Sequence, residues 1–256
     1  MKGQAAIVTG GSQGIGLATA KAIARAGAAA VTIVGRDSAK GASAETELKK
    51  DGVDCAFVAA DLAEPDSWNA IFDQALARFG RVDALVNAAG LTDRGSVANA
   101  DPALWERLYA VNARAPFFLM QRLINHLRER KAPGSIVNIL SMHAHGGGSD
   151  LAVYASTKAA LATLTKNAAQ AHRFDRIRVN GINVGWVDTP AERQMQAVTL
   201  GHGEEWLARA SAGQPHGRLI TADEVARLAL FLLSGESGVM TGALIDQEQL
   251  VVGAWS

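Results

Sequence analysis

Short apolar segments alternate with longer segments of helical periodicity along almost the whole chain. The apolar segments are rich in Val and Ile, and several are apolar throughout, which is typical of strands buried on both faces of a parallel sheet. The pattern predicts seven strands, at residues 5–9, 31–34, 55–59, 84–87, 135–140, 178–183 and 243–246. We therefore expect an α/β fold with a doubly wound, mainly parallel, seven-stranded sheet and helices on both faces.

The segments between the strands carry helix signals or stand out as loops. Pro65 opens one helical pattern and Gly80 ends it, positions that these two residues favour. The glycine-rich stretch 143–150 predicts a flexible turn before a helix. Residues 188–218 are long, polar and poorly periodic, so we expect an irregular loop that recognises the substrate. The sequence shows no linker or repeat, which favours a single domain over residues 1–256.

Composition narrows the classes of function. Lys plus Arg and Asp plus Glu are 25 each, so the chain lacks the basic excess of a nucleic-acid-binding protein. The single cysteine, Cys55, lies in an apolar run, which predicts a small buried side chain and suits a reducing compartment. The first ten residues lack signal-peptide features, and no apolar run approaches the roughly 20 residues that span a bilayer. We expect a cytoplasmic protein with a small-molecule substrate and no nucleic-acid or membrane partner.

A glycine-rich turn follows the first predicted strand. Residues 9–16 have the sequence TGGSQGIG and lead into a helix. Glycines bring backbone close to a ligand, and a helix N-terminus offers N–H groups to a pyrophosphate. The G-x-G-x-x-G fingerprint is not met, because Thr19 stands where its third glycine would be. The turn predicts a phosphate site, with a merely tight strand–helix connection as the alternative.

Tyr154 and Lys158 are four residues apart at the start of a predicted helix, so they share one helical face. A free tyrosine has a pKa of about 10, and a neighbouring cation lowers the pKa of a phenol. This pair predicts a general acid/base that exchanges a proton with an alcohol or its ketone. Ser141 closes the fifth predicted strand, thirteen residues earlier. Asn112 lies within the predicted helix 103–127, where asparagine is a mediocre interior residue.

The order of these features resembles the short-chain dehydrogenase/reductase family of roughly 250 residues. The glycine turn, Asp61, the segment 87–90 with sequence NAAG, and Asn112 lead to Ser141, Tyr154/Lys158 and Thr189. The sequence departs from the family pattern at Ala88, at Val184 and in the C-terminal stretch GALIDQEQ, which lacks the common Val-Asp-Gly-Gly ending. The resemblance implies a Rossmann-type, NAD(P)-dependent oxidoreductase that assembles as a homo-oligomer, a tetramer or a dimer.

The resemblance also implies a role for each site residue. Tyr154 would be the acid/base, Lys158 would tune it and hold the cofactor ribose, and Ser141 would bind the substrate oxygen. Asn112 would kink its helix and anchor a water linked to the lysine. The implied cofactor contacts are Gly10, Ser12, Gln13, Gly14, Ile15, Gly16, Arg36, Asp61, Leu62, Asn87, Ala88, Gly90, Tyr154, Lys158, Val187 and Thr189.

The residues after the second strand bear on the choice of cofactor. An acidic residue there binds the ribose 2′-hydroxyl of NAD, whereas an arginine accommodates the 2′-phosphate of NADP. Gly35 occupies the place of the acidic residue, and Arg36 follows it. Asp37 comes next and either contacts the ribose or caps the following helix. We therefore favour NADP, with NAD as the alternative.

Substrate contacts are predicted at Ser141, His143, Tyr154 and Trp186. The polar residues of segment 188–218 favour a sugar or a polyol among the secondary alcohols. No metal is expected, because His143 and His145, even with Asp150 and His126, lack a further ligand at fitting spacing.

Two other functions stay open at this stage. One is a 3-oxoacyl thioester reductase acting on an acyl carrier protein, which a basic patch near the cleft would favour. The other is a non-catalytic NAD(P)-binding regulatory protein. The presence of Asn112, Ser141, Tyr154 and Lys158 together argues against it, and detectable turnover would eliminate it.

Overall fold

The computed structural model describes residues 1–253 and contains the expected doubly wound sheet. Seven strands form one sheet in the order β3-β2-β1-β4-β5-β6-β9, and every neighbouring pair is parallel. The strands are β1 (Ala5–Thr9), β2 (Ala30–Gly35), β3 (Asp54–Ala59), β4 (Ala84–Asn87), β5 (Gly134–Ile139), β6 (Ile177–Val184), β7 (Val187–Asp188), β8 (Ile220–Thr221) and β9 (Leu244–Gln247). The seven-stranded α/β prediction is confirmed. The pair β7–β8 was not predicted, because two-residue strands carry no periodicity.

Helices cover both faces of the sheet. They are α1 (Gly14–Arg25), α2 (Ser38–Lys50), α3 (Pro65–Phe79), α4 (Pro102–Tyr109), α5 (Ala115–Glu129), α6 (Ala152–Ala171), α7 (Pro190–Gln194), α8 (Trp206–Ala212) and α9 (Ala222–Leu233). One face packs against α1, α2 and α9 through side chains such as Ile23, Leu48 and Leu232. The opposite face packs against α3, α5 and α6 through Ile71 and Leu123, among others. Cys55 is buried in the first of these cores, as predicted.

Two sequence predictions need correction. Segment 188–218 is not irregular, because it contains α7, a π-helical turn (Met195–Thr199) and α8. These pieces are too short to show an apolar repeat, and only Gln196 and Trp206 are buried in them. The predicted continuous helix 103–127 is divided into α4 and α5 by a π-helical turn (Ala110–Arg114) that contains Asn112.

A buried carboxylate fixes the amino ends of the central strands. Asp83 precedes β4, is 2 % exposed, and accepts a hydrogen bond of 3.0 Å from the backbone N–H of Ala5 at the start of β1. Arg81 binds both of its oxygens, at 2.7 and 2.8 Å, and Arg130 donates a third bond at 3.2 Å. Burial raises the pKa of Asp83, but these hydrogen bonds outweigh it and leave the pKa below its usual range.

Asp83→Asn should lower the free energy of unfolding by about 2–3 kcal/mol at neutral pH, because an amide holds two guanidinium groups poorly. A group with a lowered folded pKa stabilises the fold above its unfolded value of about 3.9 and loses that contribution on acidification. The difference between wild type and variant, measured by urea unfolding, should therefore shrink below about pH 4. Asp73→Asn, which breaks the exposed pair with Arg122, should cost less than about 1 kcal/mol. Equal losses in the two variants would contradict this account of Asp83.

Candidate active site

A cleft runs along the carboxyl ends of the strands, where β1 and β4 lie side by side and the strand order reverses. Most residues predicted to contact a dinucleotide line this cleft. They are Gly10, Ser12, Gln13, Gly14, Ile15, Gly16, Arg36, Asp61, Leu62, Ala88, Gly90, Tyr154, Lys158 and Thr189. The structure thus brings the glycine turn and the Tyr154/Lys158 pair to one continuous cavity.

The glycine turn is shaped for close approach of backbone to a ligand. Gly10 and Gly14 have φ angles of +66° and +56°, in the left-handed region that favours glycine. A Cβ on Gly16 would lie 2.2 Å from the carbonyl oxygen of Gly10, so a side chain there would distort the turn. Gln13, the N-cap of α1, makes no side-chain cap, and the first turn of α1 contains no acidic residue. The free N–H groups and the positive helix end fit a pyrophosphate.

The end of β2 settles what Asp37 does. Its carboxylate accepts hydrogen bonds of 3.0 Å from the backbone N–H groups of Ala39 and Lys40, so it caps α2. Arg36 is exposed and lines the cleft. At the end of β3, Asp61 also lines the cleft, and its Oδ1 accepts a bond of 2.9 Å from the N–H of Ala63. Of the two acidic residues Asp37 and Asp61, only Asp61 lines the cavity and can contact a bound dinucleotide.

Tyr154 and Lys158 lie on one face of α6, and both side chains are almost completely buried. The Lys158 Nζ donates a hydrogen bond of 2.9 Å to the carbonyl oxygen of Ile139 at the end of β5. It lies 5.8 Å from the centroid of the Tyr154 ring. Burial lowers the pKa of Lys158 to about 8. Burial also raises the pKa of Tyr154, although the nearby hydroxyl of Ser141 opposes this shift. The lowering of this pKa that the sequence leads us to expect from Lys158 is therefore not found, and Tyr154 is a neutral phenol at physiological pH.

Ser141 follows β5 and is 4 % exposed. Its Oγ accepts a hydrogen bond of 3.1 Å from the backbone N–H of His143. Because this bond occupies a lone pair, the hydroxyl proton stays available for a substrate oxygen. His143 stands beside the same site, with its ring centroid 6.2 Å from that of Tyr154. Burial and the charge of Arg94 lower the pKa of His143, which is therefore neutral at pH 7.

Asn112 is completely buried in the π-helical turn between α4 and α5. Its Oδ1 accepts from the N–H of Leu91, and its Nδ2 donates to the carbonyl of Leu91, both at 2.9 Å. The Nδ2 also donates to Thr157 Oγ1 at 3.1 Å, one residue before Lys158. A Cβ on Gly90 would lie 3.5 Å from Lys158 Nζ and 3.6 Å from Asn112 Oδ1. Asn112 therefore fastens the loop after β4 to the helix that carries Tyr154 and Lys158.

Several predicted residues lie elsewhere. Asn87 does not line the cleft, because its Nδ2 donates to Asn138 Oδ1 at 2.8 Å inside the sheet. The Val187 side chain is buried in the pair β7–β8, where the residue lies opposite Ile220, and the cofactor contact that the resemblance implies through its backbone stays a prediction. Trp186 packs against Trp206 at 6.0 Å instead of lining the cleft. Ser141, His143 and Asn112 are not among the residues that line the cleft, but Ser141 and His143 lie next to Tyr154, which does line it.

Sequence reasoning missed part of the cavity wall, including Thr92, Val111, Val184 and Glu192. Thr92 lies two residues after the segment 87–90, and Val184 lies just before Val187 and Thr189. Their closeness to predicted cofactor-binding residues was a signal that could have identified them. Glu192 is one of several polar residues of segment 188–218, and nothing in the sequence shows which of them faces the cavity. Within the described residues, no three His, Cys, Asp or Glu side chains group as metal ligands. No helix in residues 1–253 is both long enough and apolar enough to cross a membrane.

Known proteins share this architecture. Residues 10–247 match the family described as "Enoyl-(Acyl carrier protein) reductase". A cis-4-hydroxycyclohexanecarboxylate dehydrogenase of Sinomonas cyclohexanicum is 33% identical, with 94% of this chain and 93% of the relative covered. A probable galactose dehydrogenase of Rhizobium meliloti (strain 1021) is 34% identical, with 94% and 92% covered. A solved structure of a "short chain dehydrogenase/reductase family protein" is 34% identical, covers 96% of both chains, and has a TM-score of 0.82.

The chain therefore belongs to the short-chain dehydrogenase/reductase family of NAD(P)-dependent oxidoreductases. The family resemblance, the fold and the enzyme class predicted from the sequence are confirmed.

Proposed function

We propose that this protein catalyses reversible hydride transfer between NADP(H) and a secondary alcohol or ketone of the sugar or polyol class. One observation carries this proposal: a single cleft joins the glycine turn of α1 to the buried pair Tyr154 and Lys158, with the hydroxyl of Ser141 beside them. The bare helix N-terminus and the close backbone packing at Gly16 fit a dinucleotide pyrophosphate. The bound nicotinamide supplies or accepts the hydride.

Tyr154 acts as the proton donor when a ketone is reduced. Its raised pKa keeps the phenol protonated at neutral pH, so a proton is available as negative charge develops on the substrate oxygen. The hydroxyl of Ser141 donates a second hydrogen bond to that oxygen and stabilises its charge. In the oxidative direction Tyr154 takes the proton back from the alcohol. This direction becomes easier as pH rises, because the phenol must first lose its proton.

Lys158 serves Tyr154 electrostatically and holds the cofactor ribose. Its ammonium is anchored by the carbonyl of Ile139, so the positive charge stays near the phenol. Asn112 positions α6 through its hydrogen bond to Thr157, and it holds the loop after β4 through its hydrogen bond with Leu91. Its side-chain amide is engaged by these protein groups, and the π-helical turn supports the kink that the family resemblance implies. The water relay from Lys158 to solvent remains a prediction.

The preference for NADP is supported by the end of β2. Asp37 caps the N-terminus of α2 through its Oδ1 and, unlike Arg36, does not line the cleft where the ribose would lie. Arg36 lines the cleft, and a Cβ on Gly35 would lie 2.9 Å from Ser12 Oγ. A guanidinium and a hydroxyl at one end of the cleft suit a 2′-phosphate.

The sugar or polyol class is supported by the polar wall near α7 and by the similarity to the galactose dehydrogenase. The relative that acts on a hydroxycyclohexanecarboxylate is almost equally similar, so identity alone does not choose between them. The 3-oxoacyl thioester alternative is supported by similarity to a solved structure described as "a putative betaketoacyl-ACP reductase", which is 34% identical, covers 97% of both chains and has a TM-score of 0.82. The expected homo-oligomer, a tetramer or a dimer, is supported by the exposed apolar side chains of Val239 and Met240 near β9.

Tyr154→Phe should reduce the turnover of NADP(H) with a reactive sugar, polyol or ketone by about 10²–10⁴-fold, because it removes only the proton donor. The affinity for NADPH, followed by fluorescence titration, should change little. Tyr109→Phe is the matched control, since Tyr109, the chain's other tyrosine, donates its OH to Ser156 at 3.1 Å. Turnover that survives in Tyr154→Phe would overturn the assignment. A wild type that binds NADPH but turns over no alcohol, ketone or 3-oxoacyl thioester would favour the regulatory alternative.

Arg36→Ala should lower the affinity for NADPH by about 10–100-fold while leaving the affinity for NADH nearly unchanged, because charged hydrogen bonds to the 2′-phosphate are lost. Isothermal titration calorimetry with both dinucleotides measures the ratio of the NADPH affinity to the NADH affinity. Arg25→Ala removes an exposed arginine at the far end of α1 and should leave the ratio unaltered. Equal losses for the two dinucleotides would contradict a role for Arg36 in choosing between them.

A further inference from the structure

A carboxylate stands in the wall of the cleft, and the reaction described above does not use it. Glu192 lies in α7 and lines the same cavity as Tyr154. Its backbone N–H is held at 3.2 Å by the hydroxyl of Thr189, the N-cap of this helix. The side chain therefore begins from a fixed backbone beside the predicted cofactor-binding segment.

The carboxylate is also held in place by its neighbours. Trp186 Nε1 donates to Glu192 Oε1 at 2.8 Å, and Gln196 Nε2 donates to the same oxygen at 2.7 Å. Gln196 is itself 6 % exposed and bonded to His202 at 2.8 Å, while Trp186 packs on Trp206. Because both donors end on Oε1, Oε2 is the oxygen left to accept a bond from a molecule in the cavity.

The charge of Glu192 is not balanced nearby. Within residues 1–253, no Lys, Arg or His nitrogen forms an ion pair with it. The charge reaches the reacting end of the cavity, where it adds to burial in raising the pKa of Tyr154. Arg94, the cation that opposes it there, lies 3.4 Å from Asp150, which compensates its charge. The α7 side of the substrate end therefore carries an unpaired negative charge, while the ammonium of Lys158 lies on the other side of the site, beside Tyr154.

A fixed carboxylate with a free oxygen accepts hydrogen bonds from hydroxyl groups and repels other carboxylates. We propose that Glu192 is the specificity-determining residue of the substrate site: it binds a second hydroxyl of an uncharged diol, polyol or sugar and rejects substrates that carry a carboxylate. This inference rests on the proposed function, since Ser141 and Tyr154 must hold the reacting oxygen. It gives a structural reason to choose between the classes that sequence identity leaves open.

Three alcohols that share one ring test the inference: 1,2-cyclohexanediol, cyclohexanol and 4-hydroxycyclohexanecarboxylate. The wild type should prefer the diol and use the carboxylate least. Glu192→Gln keeps an oxygen for Trp186 and Gln196 but removes the charge. Because the charge also acts on Tyr154, the readout is each alcohol relative to cyclohexanol: KM for the diol should rise by about tenfold relative to cyclohexanol, and kcat/KM for the carboxylate should improve relative to cyclohexanol.

Glu205→Gln is the matched control, because Glu205 lies just before α8 with its side chain 88% exposed. It should leave all three rates, the NADPH affinity and the thermal midpoint unaltered. A wild type that prefers the carboxylate, or a Glu192→Gln variant that loses activity equally with all three alcohols, would overturn the inference while leaving hydride transfer intact. Failure of the wild type to oxidise these alcohols, sugars or polyols, despite binding NADP, would overturn the proposed function as well.

Discussion

The site depends on one buried charge, the ammonium of Lys158. A lysine removed from water is costly unless its protons find acceptors, and here the carbonyl of Ile139 accepts one at 2.9 Å. That carbonyl is free because β5 ends there, at the edge of the sheet where the cleft opens. The same burial lowers the pKa of Lys158 to about 8 and keeps Tyr154 protonated. The end of β5 at Ile139 thus places the charge of Lys158, and the burial of this place keeps Tyr154 protonated.

The neighbouring elements hold this placement. Asn112 connects the loop after β4 to α6, and it can do so because the π-helical turn carries its amide to Leu91 and Thr157. The glycine turn contributes backbone in place of side chains, and it lines the same cavity as Tyr154 and Lys158. In the proposed function the reacting groups come from α6, and the proposed selection of substrates by charge comes from Glu192 in α7.

The sheet could be predicted because strands buried on both faces are continuous apolar runs, and all seven appear in the expected places. Motif spacing also placed Tyr154, Lys158 and the glycine turn in one cleft. The family resemblance implies a kink at Asn112, but the apolar pattern does not show that the break is a π-helical turn, because such a turn leaves the sequence helical on both sides. The contacts of the Asn87 and Trp186 side chains could not be predicted, because spacing fixes the backbone position of a residue and not the direction of its side chain. Glu192 needed the tertiary contacts with Trp186 and Gln196 to stand out.

The most direct test of the central claim is the pH dependence of kcat/KM for NADPH-dependent ketone reduction. With Tyr154 protonated throughout, the profile should fall as pH rises through about 8, because Lys158 then loses the charge that supports Tyr154 and binds the ribose. Lys158→Arg, whose guanidinium stays charged, should show no such fall in whatever activity it retains. A wild-type profile that stays flat to about pH 10, where free lysine and tyrosine titrate, would contradict the account.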